Sequence, residues 1–93
     1  MYLILVYDIK TDSNSGKKRL PKVMKKCREY LHHTQKSVFE GEITDAGFMK
    51  LKYELDKIID DKEDYIVFYK MANKNNLERE NLGKDFDPTD NIL

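Results

Sequence analysis

The side chains able to do chemistry fall into a few groups along the chain. Asp8 ends the apolar run Tyr2-Leu3-Ile4-Leu5-Val6-Tyr7. An acid at the exit of a strand presents one chemical group from a rigid element, although Asp in that place also caps turns. Lys17, Lys18, Arg19, Lys22, Lys25, Lys26 and Arg28 follow with no acid among them until Glu29. A charge run is usually just a solvated face, but like charges one helical turn apart repel, and a one-signed face tolerated at that cost suggests a polyanionic partner. His32 and His33 are adjacent and have no cysteine or third histidine beside them, so two turn residues are expected rather than a metal site. Asp60, Asp61, Glu63 and Asp64 lack the alternation and glycine of a calcium loop, which predicts a solvated turn.

These groups need elements to position them. Residues 2–10 read as a strand buried on both faces, central in a sheet. Residues 10–16 are polar, and Ser13, Asn14, Ser15 or Gly16 could cap a helix start. Leu20, Val23, Met24, Cys27, Tyr30 and Leu31 recur at helical spacing. Proline is tolerated in a first turn, so Pro21 places the helix start near Arg19 or Leu20. Cys27 lies on the apolar stripe and reads as a small core residue. Residues 34–43 suggest two short strands or one bent strand, with Gly41 marking a bulge or bend. Thr44 and Asp45 cap a second helix with Phe48, Leu51, Leu55, Ile58 and Ile59 on its buried stripe and Met49 and Tyr53 at the margins. Residues 65–71 form a last strand, and the polar stretch after Ala72 closes on Ile92-Leu93.

Strand, helix, two strands, helix, strand is the ferredoxin-like βαββαβ order, an α+β fold with two helices on one face of a four-stranded antiparallel sheet. The expected domain is residues 1–72, with 73–93 as a tail or short strand that docks elsewhere. The free sheet face, with Tyr2, Tyr65 or Tyr69 pointing outward, needs cover, and a second copy is the economical one. At 93 residues this is one small core. With 17 basic and 17 acidic residues, any attraction for nucleic acid must come from how charge is distributed. One cysteine excludes an internal disulfide. No run approaches the roughly 18 apolar residues of a membrane span, and the N-terminus does not read as a signal peptide. The expectation is a cytoplasmic protein with no membrane partner.

Several motifs then coincide with a known family. They are Tyr7-Asp8-Ile9, Arg19-Leu20, Gln35-Lys36-Ser37-Val38-Phe39-Glu40-Gly41, Asp64-Tyr65-Ile66-Val67-Phe68-Tyr69, Leu82-Gly83 and Thr89-Asp90-Asn91-Ile92-Leu93. Together they resemble the small CRISPR-associated adaptation subunit, CRISPR-associated protein two, over essentially the whole chain. The resemblance implies a ferredoxin-like homodimer that acts in spacer acquisition between copies of the integrase subunit. It also implies magnesium-dependent cleavage of single-stranded RNA or duplex DNA in some members. Asp8 matches the family's metal ligand, and Arg19, Ser37 and Phe39 match positions around that site or in the supporting strand. His32-His33 departs from the glycine that the family often has before Gln35.

Phosphodiester hydrolysis at neutral pH needs activated water and a cation on the phosphate. Magnesium is commonly held by one or two carboxylates plus waters, so one Asp8 is meagre; a two-fold axis would supply a second. Asp12 is the other local acid, and no histidine or lysine is an obvious general base. The competing expectation is a non-catalytic scaffold that holds duplex DNA on the basic helix and docks the integrase subunit. A third, a binder stacking RNA bases on Tyr7 and Phe68, lacks its usual aromatic-glycine motif.

Overall fold

The computed structural model describes residues 1–83. Strands β1 (Tyr2–Asp8), β2 (His32–Gln35), β3 (Val38–Glu42) and β4 (Tyr65–Met71) alternate with helices α1 (Asn14–Arg28) and α2 (Asp45–Ile58). The strands form one antiparallel sheet in the order β2-β3-β1-β4, so β1 is internal as its sequence suggests. This is the expected ferredoxin-like βαββαβ arrangement. A short 3-10 turn, Lys74–Asn76, follows β4. Ile92-Leu93 and the rest of the tail beyond Gly83 lie outside the described residues.

Alternation along β1 divides its side chains between two environments. Leu3, Leu5 and Tyr7 join Phe39 of β3, Val23 and Cys27 of α1, and Leu51 and Leu55 of α2 in the core. Ile4 and Val6, on the opposite face, are only half-buried. The strand is therefore fully buried on one face rather than two, because both helices lie on the same side. Tyr2 also departs from expectation. It is buried, since its hydroxyl meets Glu40 and the Lys74 ammonium lies over its ring.

The first helix begins earlier than Pro21 suggests. Ser13 has extended backbone and its Oγ accepts from the Gly16 N–H, which makes it the N-cap. Pro21 then sits inside α1, where it removes one N–H from the helical ladder. Gly16 is required by close approach: a Cβ there would come within 1.9 Å of the Lys10 carbonyl oxygen. His32 and His33 belong to β2, not to a turn, and the irregular register lies between His33 and Gln35. Gly41 pairs regularly with Leu3 and makes no bulge. The second helix starts as expected, with the Thr44 hydroxyl accepting from the Gly47 N–H.

Candidate nucleic-acid and metal site

Asp8 is exposed at the last position of β1, where its register partner is Tyr65 of β4. The backbone around it is fixed on several sides. The Tyr7 N–H donates to the Ser37 carbonyl at 3.0 Å, and the Tyr7 hydroxyl donates to the Lys36 carbonyl at 2.8 Å. Ser37 thus supports the site through its main chain. Phe39 lies one layer deeper, 0% exposed, opposite Leu5 in register. The His33 ring stacks on it at 4.5 Å, and the Tyr7 ring meets it tilted at 6.1 Å. Tyr7 is buried and Phe68 packs edge-on against Phe48, so neither offers a free face for a base.

Beyond Asp8, the expected solvated turn at 60–64 is half wrong. Asp61, Lys62 and Glu63 are exposed, but the Asp64 side chain is 0% exposed. Its Oδ1 accepts from the Lys10 N–H at 3.1 Å and from Arg19 Nη2 at 3.2 Å. Its Oδ2 accepts from Arg19 Nε at 2.7 Å and from the Asp60 N–H at 2.9 Å. Burial alone would raise this carboxyl, but the Arg19 guanidinium and the Asp60 and Lys10 amides outweigh it, leaving the pKa below the usual value.

The basic residues of α1 separate into two sets. Lys17, Lys18, Lys22 and Lys25 are exposed, and none forms a salt bridge among the described residues. Arg19 is held by Asp64. Lys26 reaches Glu29 and, across to α2, Glu54, each at 2.8 Å. Those two carboxylates raise the Lys26 pKa. Arg28 is also exposed, while Cys27 is buried and its thiol is pushed up to about 12 by desolvation.

Among the described residues no group of three or more His, Cys, Asp or Glu side chains could together hold a metal ion. Among the described residues at the β1 exit, Asp8 and Asp12 are both exposed, and Asp12 pairs with the Lys10 ammonium at 3.8 Å, which leaves Asp8 as the carboxylate there without an ion pair. That fits magnesium as part of a shared set, since magnesium commonly binds through one or two carboxylates and keeps several waters.

Sequence reading missed a second buried carboxylate. Glu40, 2% exposed, accepts from the Tyr2 hydroxyl at 2.6 Å and from Thr34 Oγ1 at 3.1 Å. Arg79 pairs with the same carboxylate. Burial would raise the Glu40 pKa; bonds from Tyr2, Arg79 and Thr34 prevail and lower it. Only one local sign was available, a charged residue inside the apolar run Val38-Phe39-Glu40. No described helix is long and apolar enough to cross a membrane.

Comparison with known proteins agrees with this geometry. Residues 1–79 match the family described as CRISPR associated protein Cas2. A Moorella thermoacetica protein named CRISPR-associated endoribonuclease Cas2 2 is 48% identical over 91 residues, covering 98% of this chain and all (100%) of that one. A Fusobacterium nucleatum protein named CRISPR-associated endoribonuclease Cas2 is 43% identical over 93 residues, covering 100% of this chain and 87% of its own. The crystal structure of Streptococcus pyogenes Cas2 at pH 6.5 superposes with a TM-score of 0.78 at 40% identity, covering 89% of this chain and 100% of that one. The chain belongs to the CRISPR-associated Cas2 family.

Proposed function

We propose that this chain is a spacer-acquisition subunit, a homodimer that binds nucleic acid, bridges copies of the integrase subunit and cleaves phosphodiester bonds with magnesium at Asp8. The observation that carries the cleavage reading is the exposed Asp8 carboxylate at the end of an internal strand whose neighbours on both sides are anchored. The endoribonuclease names of its relatives agree with it.

Asp8 of each protomer would hold the cation, because one carboxylate is a meagre set for magnesium and Asp12 is engaged by Lys10. Bound magnesium supplies charge on a phosphate oxygen and lowers the pKa of coordinated water. The chain's own part is to present Asp8 from a backbone anchored at Tyr7 and Lys10, and to hold the phosphate backbone on Lys17, Lys18, Lys22 and Lys25. Arg19 and Lys26, already engaged by carboxylates, contribute field more than direct contact. The surface opposite the helices carries half-buried Ile4, Val6, Val38 and Val67, with Tyr65 64% and Tyr69 54% exposed. Such an apolar sheet face suits a second copy. Residues 73–93 would dock on the partner copy or on the integrase subunit.

Replacing Asp8 with Asn removes the charge and keeps the shape. Cleavage should fall by more than the roughly 10–100-fold typical of losing an outer-shell partner. Wild-type cleavage by an equally clean Asp8→Asn preparation excludes the metal assignment.

The four exposed lysines, with no salt bridge among the described residues, favour a second reading, a non-catalytic scaffold for duplex DNA. Spacer acquisition separates the two. Acquisition retained with Asp8→Asn but lost on reversing Lys18, Lys22 and Lys25 to Glu assigns the biological role to scaffolding.

A further inference from the structure

The proposed cleavage depends on where Asp8 is held, and Asp8 itself is the last residue of its strand. What fixes the chain just beyond it is the Asp64 carboxylate. We infer that Asp64 is the positioning residue for Asp8, locking the β1 exit, the first turns of α1 and the start of β4 into one unit. This rests on the reading of Asp8 as the metal ligand.

The geometry carries it in three steps. First, residues 8–10 are held at both ends. Asp8 pairs in register with Tyr65, and the Lys10 N–H donates to Asp64, the residue preceding Tyr65. Between them Ile9 is buried in the core, so this short segment has no free end from which to swing. Second, the opposite side of the Lys10 peptide is closed by α1. Gly16 approaches the Lys10 carbonyl so nearly that a Cβ would lie 1.9 Å from it. The α1 segment making that approach is held by Arg19, which bonds both Asp64 oxygens and, through Nη1, the Ser15 hydroxyl at 3.0 Å. Third, Asp64 has its own foundation: its amide donates to the Asp60 carbonyl at 2.8 Å, and the Asp60 amide returns a bond to Oδ2 at 2.9 Å.

All of the donors on Asp64 require carboxylate oxygens on both sides of the group. Asparagine offers one oxygen and presents an NH2 to donors on the other side, so Asp64→Asn loosens the clamp at nearly constant volume. A carboxylate used only to glue α1 to the sheet would need Arg19 alone. The bond to the Lys10 amide, two residues past Asp8, is the feature that aims it at the site.

The test uses the full chain and a readout independent of turnover. In metal-free protein, amide hydrogen exchange is measured at Lys10 and at Leu5. With Mn2+ as probe, paramagnetic broadening around Asp8 gives the metal affinity, and cleavage is titrated with Mg2+. The expected result for Asp64→Asn is faster exchange at Lys10 with Leu5 still protected. Mn2+ binding and the half-saturating Mg2+ concentration should weaken by about 10–100-fold, as for other groups that orient a metal ligand. The rate at saturating Mg2+ should recover most of its wild-type value, a split that loss of stability alone does not produce.

If Asp64→Asn does not fold, Arg19→Gln keeps the carboxylate and both backbone donors and should shift the same quantities less, in the same direction. Unchanged Mn2+ affinity and Mg2+ dependence in a folded variant whose Lys10 amide is freed overturns the inference, as does exchange that rises equally at Leu5 and Lys10. Asp8→Asn distinguishes the two levels of the argument. Wild-type metal binding in Asp8→Asn overturns the metal reading and this inference together, whereas lost binding there with wild-type binding in Asp64→Asn overturns the inference alone.

Discussion

Two carboxylates, Asp64 and Glu40, are buried deeply enough that their charge must be compensated inside the protein, and each is. Both have folded-state pKa values lowered by their donors, against the opposing effect of burial. A lowered pKa means that the group stabilises the fold above its unfolded pKa, about 3.9 for Asp and about 4.3 for Glu. That stabilisation is lost as pH falls from there through the lower folded-state value. Melting temperatures measured between neutral pH and pH 3 should therefore drop steeply below about pH 4 in the wild type. Asp64→Asn should melt lower at neutral pH and show a shallower acid drop; an acid limb as steep as wild type would contradict the linkage. Phe39→Ala should cost about 3–5 kcal/mol in denaturant unfolding, because the ring is fully buried between His33, Tyr7 and Leu5. Asp8 was legible in the sequence because it breaks an apolar run. Asp64 was not: it stands in the most acidic stretch of the chain, and its partners Arg19 and Lys10 lie 45 and 54 residues away. Nothing local separates a buried acid with distant donors from a solvated one.

The elements were read more easily than their ends. Apolar patterns located β1, β3, β4 and both helices, since burial of a face is what produces them; β2, His32–Gln35, has no apolar residue, and its two histidines were expected in a turn. The start of α1 was misplaced because Pro21 resembles a first-turn proline, whereas the Ser13 cap already organises the helix from Asn14. Ser13→Ala should cost about 1 kcal/mol in thermal or denaturant unfolding, as loss of an N-cap does. Gly41 misled in the opposite way, suggesting a bend where the strand is regular. The basic character of α1 was visible, but which charges stay free was not. Only folding shows that Arg19 and Lys26 are taken by acids and that Lys17, Lys18, Lys22 and Lys25 are left to solvent. Reversing Lys18, Lys22 and Lys25 to Glu should abolish duplex binding. Single neutralisations should each reduce the slope of log affinity against log salt by about 0.9 per lost phosphate contact. Unaltered slopes in a filter-binding or fluorescence titration would remove the helix from the nucleic-acid surface.

For the whole molecule, the order of elements agrees with the topology, and with both helices on one face the described residues leave much of the other face uncovered. Among the described residues, Arg79 and Lys74 shield the end near Tyr2 and Glu40. Ile4, Val6, Val38 and Val67 remain half-buried beside exposed Tyr65 and Tyr69. The proposed dimer would cover this face and would add a second Asp8 to the proposed metal site. Tyr69→Glu, on that face and away from Asp8, should convert the dimer to monomer in sedimentation equilibrium and lose cleavage with it. A site shared across the two-fold axis makes a stronger demand. Wild-type and Asp8→Asn chains, co-refolded in equal amounts so that protomers mix at random, should cleave at roughly one quarter of the wild-type rate, because only wild-type homodimers carry both acids. Activity near one half, falling in simple proportion to the wild-type fraction, would mean that each Asp8 works alone and would contradict the shared site.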